Sequence, residues 1–342
     1  MYVLEFAGQD DPFAAREAAT AASGVTPIGP GVATAAALGD TVDQLAFTRR
    51  ASTLLGTTDA SVGSAVALLR AAATDGEGSV AVRARDVRST SGVSTQTAER
   101  ELGAVLADRG HAIDLDSPDR TLVALFAGPA DDASAPDADP GADGVCALGW
   151  RTAEPERSFA DRTPTDRPFF QPGSMDPQLA RALVNLAGGR PGATVLDPMC
   201  GTGGLLIEAG RVGATPVGGD AQRKMVAGTR RNLDALLDGP FHVYRGDAAR
   251  PPIAEGSVDG VVFDAPYGRQ SKIAGDLDDI VADCLGAAAD LAPRAVVVGD
   301  RSWADTARAA GWTVESTFVR RVHRSLDRYV AVLRTNSNNT TI

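Results

Sequence analysis

The sequence predicts a mixed α/β protein in two parts, an α+β part at the amino terminus and a doubly wound parallel sheet at the carboxyl terminus. From residue 192 onward, short apolar runs alternate with helical patterns, as expected for repeated strand–helix–strand units. An acidic segment, residues 129–144, contains only Pro, Ala, Asp, Ser and Gly and separates the two parts. The chain has 342 residues, enough for two domains that each bury a core.

The first part, residues 1–128, is predicted to mix strands and helices. Strands are expected where apolar side chains alternate, and helices where they recur every three to four residues. Ser94 and Gly110 are residue types that begin and end helices. The predicted elements, in chain order, are a strand over Met1–Phe6, helices over Pro12–Ser23, Ala46–Leu55 and Ser61–Ala73, a strand over Val80–Val87, a helix over Ser94–Asp108, and strands over Ile113–Leu115 and Thr121–Phe126.

Residues 129–160 are predicted to be an acidic linker rich in Pro, Ala and Asp, and residues 161–342 to form the second domain. The last two predicted strands of this domain come so close together that one of them is expected to run antiparallel. The result is a doubly wound sheet with a late hairpin. The predicted strands are Thr194–Leu196, Pro216–Gly219, His242–Gly246, Gly260–Asp264, Ala295–Val298, Thr313–Arg320 and Tyr329–Leu333.

The chain is acidic, with a formal net charge of −11, and Lys224 and Lys272 are its only lysines. Abundant Asp with almost no Lys is typical of proteins from the salt-rich cytoplasm of halophiles. In molar salt the Debye length is about 3 Å, so long-range repulsion between the protein and phosphates is weak. The charge therefore does not exclude RNA or DNA as a partner. An acidic protein that acts on a small molecule is the alternative.

Cysteine usage and hydropathy indicate a cytoplasmic chain. Cys146, Cys200 and Cys284 are scattered without the spacing of a metal site and are expected to be free thiols. No apolar run reaches the length of a membrane span, and the first residues lack the basic segment of a signal peptide. We therefore expect neither a metal nor a membrane partner.

A Gly-rich turn, Leu196–Gly204, lies between a predicted strand and a helix. Such a turn can hold a cofactor against its backbone, although many α/β folds have one. The carboxyl ends of parallel strands face one crevice, where ligands bind. The alternative role for an Asp at such a position is to cap the following helix. Four predicted strands are closed by aspartates, namely Asp197, Asp220, Asp247 and Asp264.

The turn and the strand ends supply candidate cofactor-binding residues. Asp197 and the backbone from Gly201 onward would meet an amino-acid moiety. Asp220, placed 23 residues after Asp197, suits a ribose diol, and Asp247 could accept from an exocyclic amine of adenine. The turn lacks the Gly-x-Gly-x-x-Gly spacing, which makes a dinucleotide less suitable. The candidate set is Asp197, Pro198, Cys200, Gly201, Thr202, Gly203, Asp220, Asp247, Ala248 and Phe170.

The run Asp264-Ala-Pro-Tyr-Gly268 follows the apolar stretch Val258–Phe263. Alone, such a run is usually a turn, because Pro fixes φ and Gly allows positive φ. An acidic residue, a proline and an aromatic residue at a strand end can also hold a flat ring that carries an amine. Together with the Gly-rich turn, the run predicts a methyl donor beside a nucleobase amine.

The runs Cys200–Gly203 and Asp264–Tyr267 resemble the motifs of the S-adenosylmethionine-dependent amino-methyltransferases, which have a Rossmann-like fold. The resemblance implies S-adenosylmethionine as the methyl donor. It implies that Asp264 and the backbone carbonyl of Ala265 accept hydrogen bonds from the target amine, and that Tyr267 stacks on a flipped base. The family usually has Pro at the position of Ala265. The candidate catalytic residues are Asp264, Ala265, Pro266 and Tyr267.

A second resemblance covers most of the chain. Residues 167–186 are similar to the segment before the cofactor motif in archaeal tRNA guanine-N2 methyltransferases, and residues 268–271 and 321–330 also look like that family. Those enzymes carry an amino-terminal THUMP domain, which residues 80–126 resemble. The resemblance therefore implies a THUMP domain that spans residues 46–128 or so.

We expect a monomer, and the resemblance implies an enzyme whose partner is tRNA. The reaction it implies is methyl transfer to the exocyclic N2 amine of a guanosine, most like the enzymes that act at tRNA position 10, with one or two methyl groups added. Three alternatives stay open, namely a sister enzyme that acts at position 6, a DNA amino-methyltransferase and a non-catalytic RNA-binding protein. Basic side chains could contact RNA phosphates, or could simply be a solvated strand face. The candidate RNA contacts are Arg83, Arg85, Arg88 and Arg269.

Overall fold

The computed structural model describes residues 1–74, 78–129, 144–267, 276–323 and 326–335. The chain divides into two compact units, Met1–Glu156 and Arg157–Ile342. This division falls near the end of the segment predicted to be a linker, and residues 130–143 of that segment lie outside the described residues. Residues 268–271 of the second resemblance, including Arg269, also lie outside them.

The first unit is an α+β structure built on one large mixed sheet. The strand order in this sheet is β3-β4-β1-β6-β10-β9-β7-β8, and β2 pairs with β5 in a small separate ribbon. The strands are β1 (Tyr2–Phe6), β2 (Ala22–Ser23), β3 (Thr26–Gly29), β4 (Val32–Ala35), β5 (Ala37–Leu38), β6 (Thr48–Asp59), β7 (Ser79–Asp86), β8 (Ala112–Ile113), β9 (Arg120–Ala127) and β10 (Val145–Ala153). The helices are α1 (Asp11–Ala18), α2 (Val62–Ala71) and α3 (Thr95–Asp108).

Polar side chains begin the helices of this unit. Ser61 Oγ accepts a hydrogen bond from Ser64 N at 3.1 Å, and Ser94 Oγ accepts one from Thr97 N at 3.3 Å. Each bond satisfies one main-chain N–H group that has no partner within the helix. Gly110, just beyond the end of α3, has a φ of 88°. The helices predicted around residues 61–73 and 94–108 are therefore confirmed.

One predicted helix is wrong. The pattern over residues 46–55 predicts a helix, but residues 48–59 form strand β6. This strand pairs antiparallel with β1 on one edge and with β10 on the other. Backbone pairing on both edges, together with β-branched threonines along the strand, outweighs a local pattern that is ambiguous between the two periods.

The predicted linker also contains a strand. Residues 145–153 form β10, which lies between β6 and β9 and pairs antiparallel with both. Cys146 and Leu148 on one face of β10 are completely buried. The acidic composition of residues 129–144 predicts solvated chain, but it stops before the alternation of Cys146, Leu148 and Trp150, which is the pattern of a strand. The domain boundary therefore lies after β10.

The second unit is a sheet of seven strands in the order β13-β12-β11-β14-β15-β17-β16. The first five strands in this order, from β13 through β11 to β15, are all parallel. β17 runs antiparallel to both of its neighbours, β15 and β16. The strands are β11 (Thr194–Asp197), β12 (Thr215–Asp220), β13 (His242–Arg245), β14 (Gly260–Asp264), β15 (Arg294–Gly299), β16 (Trp312–His323) and β17 (Leu326–Thr335). The helices are α4 (Pro177–Leu186), α5 (Gly204–Arg211), α6 (Arg223–Leu236), α7 (Asp276–Leu291) and α8 (Ala304–Ala309).

This topology confirms the predicted doubly wound sheet with a late antiparallel hairpin. The strand order changes direction between β11 and β14, which is the position where open α/β sheets form a ligand crevice. Both strands are completely buried over residues 195–196 and 261–263, because helices cover the two faces of the sheet. Along the described part of the chain, no helix combines the length and the apolar character that a membrane span needs.

Candidate active site

The Gly-rich turn connects the end of β11 to the start of α5. Cys200 N donates to Gly219 O on the neighbouring strand β12 at 2.8 Å, and Gly203 N donates to Cys200 O at 2.7 Å. Gly201 and Gly203 have φ values of 52° and 80°, in the left-handed region that glycine adopts without strain. Gly203 begins α5 without a side-chain cap, so the first N–H groups of the helix stay available to a ligand.

Asp220, at the end of β12, supports the turn from the side. Its Oδ2 accepts a hydrogen bond from Gly201 N at 3.1 Å, and its Oδ1 accepts one from Gln222 N at 2.8 Å. Thr229 on α6 donates from its hydroxyl to Gly201 O at 2.7 Å. The turn is therefore held on two sides, by a strand end and by a helix.

Asn232 on α6 fastens the segment before α4 to the turn. Its side-chain amide donates to Phe169 O at 2.8 Å and to Thr202 O at 2.9 Å, and its Oδ1 accepts from Phe169 N at 2.8 Å. Asn232 is completely buried. Ser174 Oγ also lies 3.1 Å from Thr202 Oγ1. Residues 169–174 are thereby placed alongside the Gly-rich turn.

Gly228 on α6 lies directly under the Phe169 ring, and a Cβ at this position would overlap the ring. The change Gly228→Ala is therefore expected to displace the ring and to lower the free energy of unfolding by about 1–3 kcal/mol, the usual cost of overpacking. Thermal unfolding of the full chain measures the effect.

Gly286 on α7 is the matched control, because a Cβ there meets no atom within 4 Å. Gly286→Ala is expected to stabilise the protein by about 0.5–1 kcal/mol through helix propensity. Equal effects of the two changes on the melting temperature would contradict the packing argument.

The second half of the site lies at the end of β14. Tyr267 donates from its hydroxyl to Asp264 Oδ1 at 2.7 Å. Arg328 on β17 donates from Nε to the Tyr267 hydroxyl at 2.9 Å and approaches Asp264 Oδ2 with Nη2 at 3.4 Å. Ala265 is buried, and its N–H donates to Val298 O at 2.8 Å. The motif is thus held from β15 and from β17.

Burial controls the protonation of the acidic crevice. It raises the pKa of Asp197 well above the ordinary value of 3.8, and the nearby Asp220 and Asp264 raise that pKa further. Burial also raises the pKa of Asp220, against hydrogen bonds from Gln222 and Gly201 that lower it. The pKa of Asp264 is raised by burial and lowered by Arg328 and by the Tyr267 hydrogen bond. A cation in this crevice would stabilise the charged carboxylates.

One cavity of about 190 Å³ brings the two predicted motifs together. Asp197 and Cys200–Thr202 from the Gly-rich turn lie on one side, and Asp264 lies on the other. Residues 171–175 close a third side. The walls thus combine a glycine turn, a helix amino terminus and carboxylates from two adjacent strands.

The other predicted site residues do not line this cavity. Asp220 acts on the turn through Gly201. Asp247 is exposed and accepts from Ala249 N at 3.0 Å, while Ala248 packs against the core. Phe170 is 40% exposed, and it is Phe169 that packs against α6. Pro198, Gly203, Pro266 and Tyr267 flank the lining residues in the chain, and the proposed roles of all these residues stay predictions.

The predicted RNA contacts of the first unit make contacts within that unit. Arg83 donates to Leu115 O at 2.6 Å, and Arg85 Nε lies 3.5 Å from Glu5 Oε1. Arg88 forms a two-pronged ion pair with Asp11, which is buried. The side chain of Arg85 is about half exposed, whereas that of Arg88 is 19% exposed. Arg85 is therefore the better placed of the two to reach a phosphate.

A buried charge cluster lies beside the site. Glu208 on α5 is completely buried and accepts from Arg162 Nε at 2.6 Å and from Arg162 Nη2 at 3.0 Å. Arg181 Nη2 lies 2.9 Å from Glu208 Oε2. Arg167 is also buried near this carboxylate, and burial lowers its pKa. One carboxylate therefore compensates several guanidinium groups out of water.

The sequence analysis did not identify Arg328 or Asn232, although each is a polar residue in a row of buried positions. Arg328 alternates along β17 with Val330 and Val332, so it belongs to a buried row of the strand. Asn232 follows Thr229 by three residues on the buried face of α6. A polar residue in a buried row needs a partner, and in both cases the partner lies in the candidate site.

Comparisons with known proteins agree with this geometry. Residues 164–330 match the family described as RMKL-like, methyltransferase domain. A tRNA (guanine(10)-N2)-dimethyltransferase of Methanothermobacter thermautotrophicus is 38% identical over 185 residues, which is 54% of this chain and 51% of that protein. The chain therefore spans about half the length of this relative.

Two further relatives carry similar names. The tRNA (guanine(10)-N2)-dimethyltransferase of Pyrococcus abyssi is 29% identical over 75% of this chain and 74% of its own length. A probable tRNA (guanine(10)-N2)-dimethyltransferase of Methanothermococcus thermolithotrophicus is 36% identical over 30% of this chain and 68% of its own length. With its methyltransferase domain at residues 164–330, the chain belongs to the family of the tRNA (guanine(10)-N2)-dimethyltransferases.

Proposed function

We propose that the protein transfers methyl groups from S-adenosylmethionine to the exocyclic N2 amine of a guanosine at position 10 of tRNA. The observation that carries this proposal is the cavity shared by the Gly-rich turn and Asp264. A methyl donor and an amine acceptor must meet within a few ångströms, and this cavity is bordered by candidate binding groups for both. The names of the relatives supply the tRNA position.

The residues on the turn side fit the proposed cofactor. Left-handed Gly201 and Gly203 let the backbone approach a ligand closely, and the uncapped start of α5 offers N–H groups to a carboxylate. Asp197, which lines the cavity, would accept from the ammonium group of the donor, and Asp220, which holds the turn through Gly201, would accept from its ribose. When bound, S-adenosylmethionine supplies an electrophilic methyl group on a sulfonium centre. The acidic crevice favours such a cation.

Asp264 and the carbonyl of Ala265 are proposed to accept hydrogen bonds from the target amine. The lone pair of a guanine amine is conjugated into the ring, which makes it a poor nucleophile. Two acceptors at the end of β14 favour a pyramidal nitrogen whose lone pair points away from them. Tyr267 would stack on the ring of a flipped base, and its raised pKa, caused by burial, keeps its hydroxyl protonated. Proximity and fixed dipoles then supply the rate enhancement.

The first unit is proposed to be the THUMP-containing part that binds tRNA, with Arg85 as a phosphate contact. The high Asp and low Lys content favours a halophilic archaeal source and a protein that works at high salt. Under those conditions, phosphate contacts contribute less to affinity because salt screens them. We also propose a cytoplasmic location and a monomer.

Methyl transfer from labelled S-adenosylmethionine to unmodified tRNA transcripts in molar KCl tests the proposal. The expected product is N2-methylguanosine, or its dimethyl form, mapped to position 10. The same nucleoside at position 6 would keep the mechanism and change the target. Transfer to DNA alone, or no transfer to any nucleic acid, would contradict the proposed function.

A further inference from the structure

We propose that Arg328, on the antiparallel strand β17, is the positioning residue that sets both Asp264 and Tyr267 for the target amine. This inference rests on the proposed function and deepens it. It assigns a role to the carboxyl-terminal hairpin, which otherwise only completes the sheet.

The contacts of Arg328 reach two sides of the cavity and the tyrosine that flanks it. Its Nε donates to the Tyr267 hydroxyl at 2.9 Å. Its Nη2 lies 3.4 Å from Asp264 Oδ2 and 3.2 Å from Gly173 O. Asp264 is the proposed amine acceptor, Tyr267 the proposed clamp, and Gly173 belongs to the segment that borders the cofactor side. A single guanidinium group therefore connects the three elements that must be aligned.

Packing alone does not explain why the charged side chain of Arg328 is buried. Its side chain is 3% exposed, whereas the Asp264 side chain is 20% exposed. Burying a guanidinium costs free energy unless hydrogen bonds and an opposite charge compensate it. The compensation here comes from the site itself, since two of the three contacts are made to residues of the Asp264 motif. The arginine is thus tied to the chemistry of the site and not to a separate structural pair.

The charges around Asp264 make its ionisation dependent on Arg328. Burial raises the pKa of Asp264, and Asp300, which follows β15, raises it further. Asp264 in turn raises the pKa of Asp197 on β11. Against these stand the charge of Arg328 and the hydrogen bond from Tyr267, which both lower the pKa of Asp264. Without Arg328, the pKa of Asp264 would be higher, so its carboxylate would become protonated at a higher pH as the pH falls.

Arg328 also fixes the orientation of Tyr267. The phenol hydroxyl donates to Asp264 Oδ1 at 2.7 Å and accepts from Arg328 Nε, so both of its directional bonds are made. Two hydrogen bonds at the phenol oxygen fix the position of that end of the side chain. Removal of the guanidinium would leave one bond, and the ring could turn away from the position in which it stacks on a base.

The test compares Arg328→Met and Arg328→Lys with the unchanged protein and with Arg334→Met as control. Arg334 lies on the same strand, is 54% exposed and pairs with Glu315 at the far end of the sheet. For each protein, kcat is measured across pH with saturating tRNA, and the affinity for S-adenosylhomocysteine and the melting temperature are measured alongside. Arg328→Lys keeps the positive charge but loses the planar guanidinium group with its several N–H donors. If Arg328→Met does not fold, this variant alone tests the positioning role.

The expected result is a loss of kcat of up to about 10²-fold in Arg328→Met, the size of effect that misalignment by about 1 Å can cause. The acid limb of the pH profile of kcat is expected to move to higher pH in this variant, because Asp264 loses a cationic neighbour. Arg328→Lys should restore the position of the acid limb but not the full kcat. Cofactor affinity should change little, and Arg334→Met should match the unchanged protein.

Two other outcomes would overturn the inference, and they differ from each other. If the unchanged protein methylates tRNA and the Arg328 variants show its kcat and pH profile, the positioning role is wrong while the proposed function stands. If the unchanged protein transfers no methyl group to any tRNA, the proposed function fails and the role of Arg328 fails with it.

Discussion

Replacing Asp264 with Asn is expected to lower kcat for methyl transfer by about 10²- to 10³-fold, the usual cost of removing one preorganised electrostatic contact from an active site. Asn keeps one oxygen acceptor but loses the negative charge. Its amide group would also face the hydroxyl of Tyr267 and the donors of Arg328, which now both point at a carboxylate. The fixed acceptor that holds the amine nitrogen is therefore lost together with the geometry around it.

The measurement is single-turnover methyl transfer to tRNA, accompanied by the affinity for S-adenosylhomocysteine. Cofactor affinity is expected to stay within a few-fold, because the Gly-rich turn is untouched. Asp305→Asn is the matched control, since that carboxylate is fully exposed on α8 and pairs only with Arg308 in the described structure. Activity of Asp264→Asn within a factor of ten of the unchanged protein would remove Asp264 from the reaction.

The pH profile gives a second signature of the same carboxylate. Burial raises the pKa of Asp264 above 3.8, and the amine acceptor must be ionised. Activity is therefore expected to be full above that raised pKa and to fall as the pH drops through it. An acid limb that Asp264→Asn does not abolish would have to belong to another group.

Glu208→Gln is expected to lower the free energy of unfolding by about 3–5 kcal/mol, as is usual when a buried ion pair loses one partner. The change preserves the shape of the side chain, so the loss comes from charge and not from a cavity. It leaves Arg162 and Arg181 buried without their shared carboxylate, and it removes a negative charge that acts on the buried Arg167. Urea unfolding measures the effect through tryptophan fluorescence, to which Trp303 and Trp312 of this unit contribute.

The effect of salt distinguishes the buried charge cluster around Glu208 from ion pairs on the surface. Ions screen buried charges much less than exposed ones, so the destabilisation by Glu208→Gln should persist in molar KCl. The exposed pair of Asp305 and Arg308 again serves as the control, and Asp305→Asn should leave the unfolding midpoint unchanged. A small effect of Glu208→Gln would mean that water or another group compensates the arginines.

Local sequence pattern was sufficient to predict the strand order of the second unit, but it was not sufficient for two strands of the first unit. The strands β11 to β15 are short and bounded by turns, so their order was predictable. The hairpin strands β16 and β17 were predicted in the right order but are longer than their apolar runs indicate. β6 was mistaken for a helix, because residues 46–55 fit both periods and only pairing with distant strands decides between them. β10 was assigned to the linker because its neighbour in sequence, residues 129–144, is solvated in composition.

The candidate site was predictable where residues are contiguous and not where the fold brings them together. Asp197, Cys200–Thr202 and Asp264 were identified from two short motifs and line one cavity. Arg328 lies 64 residues beyond Asp264 on an antiparallel strand, and no local pattern connects the two. Phe170 was favoured over its neighbour because sequence does not show which of two adjacent aromatic rings points inward.

The central position of β10 constrains how the first unit can be made. Strands β1, β3, β4 and β6 come from residues 2–59, and β7, β8 and β9 come from residues 79–127. The strand that joins these two groups is the last to be synthesised, and its pairing of Leu148 with Gly56 spans 92 residues. Until the ribosome has released residue 153, β6 and β9 each present an unpaired edge. Pairing between residues this far apart in sequence forms slowly, so we expect β10 to be the last strand to join this sheet.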